Sequence, residues 1–222
     1  MIERDRQQTE AAPRIRSVRE ETTSAAIEGS AACASVVGLF CLVSRALPGH
    51  DAVKLGAVVV YGLSMIIAFT ASALYHGVQH ERLKPLFREI DHCTIFLFIA
   101  GTYTAVTMLA LRHQGGRFLL AAIWALAIAG ITLRLKQGAG FLRTAVSIYL
   151  VMGWLFLGWS VPLYRAVGWT PMLVMIAGGL LYSGGLLFHR WDRLPYSVAL
   201  WHICVVTGSA CFFYAIALFP QL

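Results

Sequence analysis

Seven stretches of this sequence are each about twenty residues long, apolar and nearly free of charge: 25–46, 53–76, 90–111, 117–135, 143–164, 171–189 and 196–218. A helix rises 1.5 Å per residue, so ~20 apolar residues cross the hydrocarbon core of a bilayer. The breaks between the stretches carry turn chemistry, as in "LPGHD", "RHQGGR", "KQGAG", "VGWTP" and "RWDRLP". With 58% of 222 residues hydrophobic and 13% charged, a soluble domain of this size could not hide its apolar surface. The predicted fold is an all-α membrane protein, a seven-transmembrane helix bundle over 25–222 preceded by a tail over 1–24. No segment is left over for a second domain. The tail is too long and too charged for the short basic start of a cleaved leader.

The net charge is +7, yet the cations sit in short segments between apolar runs, which is a topology signal and not a nucleic-acid footprint. One side holds thirteen Lys and Arg: Arg4, Arg6, Arg14, Arg16 and Arg19 in the tail, then Arg82, Lys84, Arg88, Arg134, Lys136, Arg143, Arg190 and Arg193. The other holds five, namely Arg45, Lys54, Arg112, Arg117 and Arg165. Cytoplasmic segments are enriched in these residues. The expected orientation therefore has the N-terminus in the cytosol and the C-terminus outside, in a bacterial inner membrane.

Given alternation, the start of the first run, the end of the second and the starts of the third and seventh share one leaflet. The ionisable residues gather there. Glu21, Ser24 and Glu28 lie three and four apart and so share one helical face. Ser72 and His76 are four apart at the end of the second run, Asp91 and His92 open the third, and His202 lies about two turns into the seventh, ~9 Å at 1.5 Å per residue. Ionisable groups within spans are costly and normally face the bundle interior with a partner. Two readings stand. At helix ends interfacial water can hydrate His76, Asp91 and His92, and a carboxylate near a helix start is favoured by the dipole alone. Alternatively, imidazoles and carboxylates from separate helices converge and hold a metal: such donors suit zinc, and Asp91 would handle the proton of a water activated there. "GGLLYSGG" (178–185) supplies small residues for close helix packing.

"SALYHG" (72–77), "DHCTIFLFIAGTYTA" (91–105) and "LPYSVALWHICVVTGSACFFYAI" (194–216) resemble the bacterial hemolysin III family, which groups with the progestin and adiponectin receptors and the alkaline ceramidases. The likeness extends over most of the chain. It implies a zinc ion held by His76 of S-x-x-x-H and by two histidines of an H-x-x-x-H motif in the last span, with Asp91 on the zinc-bound water and Ser72 beside it. His202 matches the second of those histidines. Val198 stands where the first is expected, and Phe212 replaces another frequent histidine. The family's E-x-x-N-x-x-x-H motif reads here as Glu21, Ser24 and Glu28. Two histidines alone make a poor zinc site, so the expected ligand set is His76 and His202 completed by Glu28 or Asp91.

The functions this implies are a metal-dependent hydrolase acting on membrane lipid amides, with Asp91 and Ser72 as catalytic residues, or a non-enzymatic regulator of lipid homeostasis built on a degenerate site. Cytolysis by pore formation, which the family name implies, has little support in a chain that is hydrophobic throughout. Transport would be marked by broken helices in paired halves, and no internal symmetry of that kind is apparent. The expected partners are membrane lipids.

Overall fold

The computed structural model describes residues 16–191 and 193–222, apart from the side chains of Ala139 and Arg143. Arg4, Arg6 and Arg14 of the charge count, and 1–15 of the expected tail, lie outside them. Among the described residues there are eight α-helices: α1 (Val18–Ala46), α2 (Ala52–Gly77), α3 (Lys84–Ala110), α4 (Gly116–Gln137), α5 (Leu142–Trp154), α6 (Ser160–Val167), α7 (Trp169–His189) and α8 (Ser197–Ala217). A 3₁₀ segment, Leu155–Trp159, joins α5 to α6 into one span. Among the described residues seven helical segments are long and apolar enough to cross a membrane, as the hydropathy pattern predicts.

The first helix begins well before 25. Ser17 and Glu20 form a capping box: the Glu20 amide donates to Ser17 Oγ at 3.3 Å, and the Ser17 amide donates to Glu20 Oε2 at 2.8 Å. This pairing satisfies two of the four donors a helix start leaves orphaned. Val18–Ser24, expected in the tail, are therefore the first turns of α1, and Glu21 is carried into the bundle. The other oxygen of Glu20 accepts the backbone N–H of Tyr196 at 2.8 Å. Tyr196 immediately precedes α8 with φ 57°. One carboxylate thus pins the start of α8 to the start of α1.

Neighbouring helices α1–α2, α2–α3 and α3–α4 pack side by side, α7 packs on α8, and α8 closes back onto α1. The small residues of 178–185 act as expected. A Cβ on Gly178 would come within 3.0 Å of Gly208 O, and one on Gly185 within 2.7 Å of Cys204 Cβ, so α7 and α8 approach where side chains are missing. At the same end of the bundle as the Glu20 staple, α4 runs on to Gln137, and Arg134, expected among the loop cations, is 1% exposed. Its Nε lies 2.8 Å from Glu89 Oε2, its Nη2 donates to Glu89 Oε1 at 2.9 Å, and its Nη1 donates to Gly138 O at 2.8 Å. A charge can be buried when it is paired and hydrogen-bonded, and this pairing ties α4 to α3.

The fifth span breaks where Tyr103 of α3 enters it. The Tyr103 hydroxyl donates to Met152 O at 2.7 Å and accepts the Phe156 amide at 3.0 Å. These bonds replace helical ones lost across the 3₁₀ segment. Irregular backbone at membrane depth requires such partners.

Candidate functional site

A cavity of about 380 Å³ lies within the bundle, walled by α2, α3, α5, α7 and α8, with Glu28 of α1 at its edge. Most of its wall is apolar, including Phe98, Val106, Phe156, Met175 and Phe212. One end is polar, and there Ser72, His76, Asp91, His202 and Glu28 all line it. These are the five residues singled out from the sequence. Four separate helices bring them together.

The centre of the polar end is a histidine pair. His76 Nε2 and His202 Nε2 face each other at 3.0 Å, and their rings stand edge to face, 80° apart. Behind each ring stands a carboxylate of α1. Glu21 Oε2 lies 3.3 Å from His76 Nδ1, and Glu28 Oε1 lies 2.6 Å from His202 Nδ1. The second contact is short but poorly aligned for a hydrogen bond, and Glu28 Oε1 has no other such partner, so charge attraction carries it. Glu21 and Glu28 are seven residues apart, two turns along one face, which lets a single helix hold both rings from behind. Glu21 also takes Lys84 at 2.7 Å.

An ionised carboxylate only accepts, so one behind each ring favours the tautomer with the proton on Nδ1. Each Nε2 then presents a lone pair, and two lone pairs point into one 3.0 Å gap. That arrangement repels itself unless a positive species lies between: a proton that turns one ring into imidazolium, or a metal ion. Two nitrogens on one tetrahedral zinc, each 2.0–2.1 Å from it, stand roughly 3.3 Å apart. The observed gap is close to this, and a carboxylate on the far nitrogen is the usual support for a metal-bound imidazole. The pair therefore offers two imidazole nitrogens at a spacing close to that of two zinc ligands. A third donor is not in place: among the described residues no three His, Cys, Asp or Glu side chains converge as a metal-holding group. Val198, one turn before His202 on α8, is 7% exposed and lines the cavity with an isopropyl group, and Phe212 is also apolar cavity wall.

The expected ligands divide as follows. His76 and His202 face one point. Glu28 reaches the back of the His202 ring. Asp91 and Ser72 line the same polar end, and Asp91 lies within electrostatic reach of both His202 and Glu28.

A model of the "Haemolysin-III related" family matches residues 16–213. The chain belongs to the haemolysin III family. It is 37% identical to "Hemolysin-3" of Bacillus cereus over 199 residues, which is 90% of this chain and 91% of that protein. It is 32% identical to the "Hemolysin-3 homolog" of Bacillus subtilis (strain 168), over 90% and 93% of the two chains. The human "Monocyte to macrophage differentiation factor" is 28% identical over 71% of this chain and 67% of its own length. Within this haemolysin III chain, the polar end of the cavity falls inside the matched region throughout.

Sequence reading left three partners unassigned. Glu21 was grouped with Glu28 but given no target. Its signal was an acidic residue two turns from another on an apolar helix. His92 accepts a hydrogen bond at Nδ1 from Arg134 Nη2 at 3.0 Å, and its backbone carbonyl takes the Tyr149 hydroxyl at 2.7 Å. No spacing in the sequence links positions 92, 134 and 149. Tyr103 reads in sequence as one more aromatic in an apolar run, with nothing to mark the helix break it fills.

Proposed function

We propose that this protein is a multi-pass inner-membrane protein, N-terminus in the cytosol, whose cavity admits a membrane lipid to the histidine pair and carries hydrolase-like chemistry on a lipid amide. The carrying observation is the pair itself: Nε2 atoms 3.0 Å apart, with a carboxylate behind each ring. The Lys and Arg bias between the two sides supports the orientation.

The site residues divide the work. Glu21 and Glu28 keep both Nδ1 atoms protonated and both rings turned inward. His76 Nε2 and His202 Nε2 would hold a zinc ion, whose chemistry there would be Lewis acidity toward a carbonyl and water. Asp91, beside Ser72 in the lining of the polar end, takes a proton from the attacking water and returns it to the amine as the C–N bond breaks. The apolar wall around Phe98, Val106 and Phe212 suits an acyl chain and keeps bulk water from it.

One observation favours a second reading. With Val198 in place of a third donor, the pair holds a cation more weakly than a three-ligand site would, and the same cavity then serves as a lipid-sensing pocket without turnover. Metal analysis of the purified protein separates the two. The hydrolase reading expects about one zinc per chain, lost in His76→Ala and in His202→Ala. Zinc content unchanged in both variants would remove it.

A further inference from the structure

We infer that the mouth of the cavity is a binding site for the phosphate head group of a single-chain membrane amphiphile, held by Arg16 and Arg88. The inference rests on the reading of the cavity as a lipid pocket. It adds a head-group site that neither the histidine pair nor the family likeness assigns.

Arg16 and Arg88 both line the cavity. They come from different parts of the chain, one just ahead of α1 and the other in the first turns of α3, and both lie within electrostatic reach of Tyr75, as do Glu21 and Asp91. Their side chains are 35% and 43% exposed, so this end is the opening. Among the described residues each makes a long contact to a carboxylate already held more closely by another cation. Arg16 Nη1 lies 3.8 Å from Glu21, which takes Lys84 at 2.7 Å and His76 at 3.3 Å. Arg88 Nε lies 3.7 Å from Glu89, which takes Arg134 at 2.8 Å. Among the described residues Arg88 Nε is also buried without a hydrogen-bond partner. A buried, unmatched N–H on a charged group is costly unless a ligand completes it.

Charge and shape then select the ligand. A phosphate monoester carries roughly −1.5 to −2 near neutral pH, close to the sum of two guanidinium charges. Its tetrahedral oxygens can meet donors arriving from two directions, and arginine's planar fork suits them. Arg88 and Asp91 are three apart, so they share a face of α3 about one turn apart, with Arg88 toward the helix start. A head group on Arg88 therefore sits outward of the Asp91 carboxylate, while the chain behind it enters the apolar cavity.

The test uses full-length protein in nanodiscs of neutral phosphatidylcholine, with the binding of oleoyl lysophosphatidate, monoolein and inorganic phosphate measured by native mass spectrometry. Lysophosphatidate binds at least about tenfold tighter than monoolein, a factor typical of one charge-assisted hydrogen bond. Arg88→Ala and Arg16→Ala each remove most of that preference. Arg88→Lys retains part of it, and Arg117→Ala at the opposite end of the bundle retains all. Equal binding of the two lipids, or a preference untouched in both alanine variants, overturns the proposal. Inorganic phosphate competing at concentrations equal to lysophosphatidate would assign the mouth to a free ion and overturn the lipid assignment. Zinc content of the same samples reports separately on the hydrolase reading: the preference persisting in zinc-free protein would sustain the head-group site while that reading fell.

Discussion

His76 Nε2 and His202 Nε2 meet at 3.0 Å although 126 residues separate them in the chain, and neither ring is free to turn away because Glu21 and Glu28 hold the opposite nitrogens. Zinc on this pair, as the hydrolase reading has it, would depend on those carboxylates as much as on the imidazoles. Glu28→Gln keeps the size of the side chain and removes its charge. It should lower zinc affinity about 10–100-fold, the range for loss of a partner behind a metal-bound histidine. Competition with a chromophoric chelator measures this. Affinity equal to wild type would show that Glu28 does not orient His202.

How much of this was legible in the sequence depends on the range of the forces involved. Seven spans could be read because hydropathy over ~20 residues is a local property. Ser72, His76, Asp91, Glu28 and His202 could be singled out because an ionisable group in an apolar run is conspicuous whatever surrounds it. The way they divide the work could not. Glu28 reads as the preferred third ligand, with Asp91 as the other option, and only the packing of α1 against α2 and α8 puts Glu28 on a ring nitrogen. The helix start at Val18 was local information, a Ser17–Glu20 capping box, that hydropathy overrode because the turn it caps is polar. Arg134 misled for the opposite reason: near the end of an apolar run it reads as a loop cation, and its burial follows from Glu89 and His92 on another helix.

Val198 marks the position where a third donor is missing. It lies one turn before His202, on the same face of α8, and lines the same cavity. Val198→His should complete a three-imidazole set and raise zinc affinity. At zinc concentrations 100 times the new Kd, binding adds ~2.7 kcal/mol to stability, which a thermal unfolding scan with and without zinc detects. A zinc-dependent Tm shift no larger than that of wild type would show that residue 198 does not point at the Nε2 gap.

The Arg134–Glu89 pair should be a structural requirement. Glu89→Gln leaves the buried guanidinium without its counter-charge. Removing one partner of a buried pair costs ~3–5 kcal/mol. Glu89→Gln with Arg134→Met together restore neutrality and should recover most of that loss. Unfolding in detergent, followed by tryptophan fluorescence, gives both numbers. Single and double variants of equal stability would mean that solvent, not Glu89, neutralises Arg134.

Tyr103 offers the sharpest test of the broken span. Its hydroxyl is the shared partner of Met152 O and the Phe156 amide, on either side of the turn where α5 gives way to the 3₁₀ segment. Tyr103→Phe fills the same space and takes away that one oxygen. The buried Phe156 N–H then loses its partner in a low-dielectric region, at a cost of about 1–3 kcal/mol, while Met152 O keeps the Leu155 N–H. Gly153, Trp154 and Phe156 of this segment line the cavity, so the loosened backbone lies in its wall. The variant should therefore show faster amide exchange confined to 152–159 in hydrogen–deuterium exchange, with α1 and α2 unchanged. Exchange in that segment equal to wild type would mean that the break is held by packing of Trp154 and Phe156 and not by the phenol.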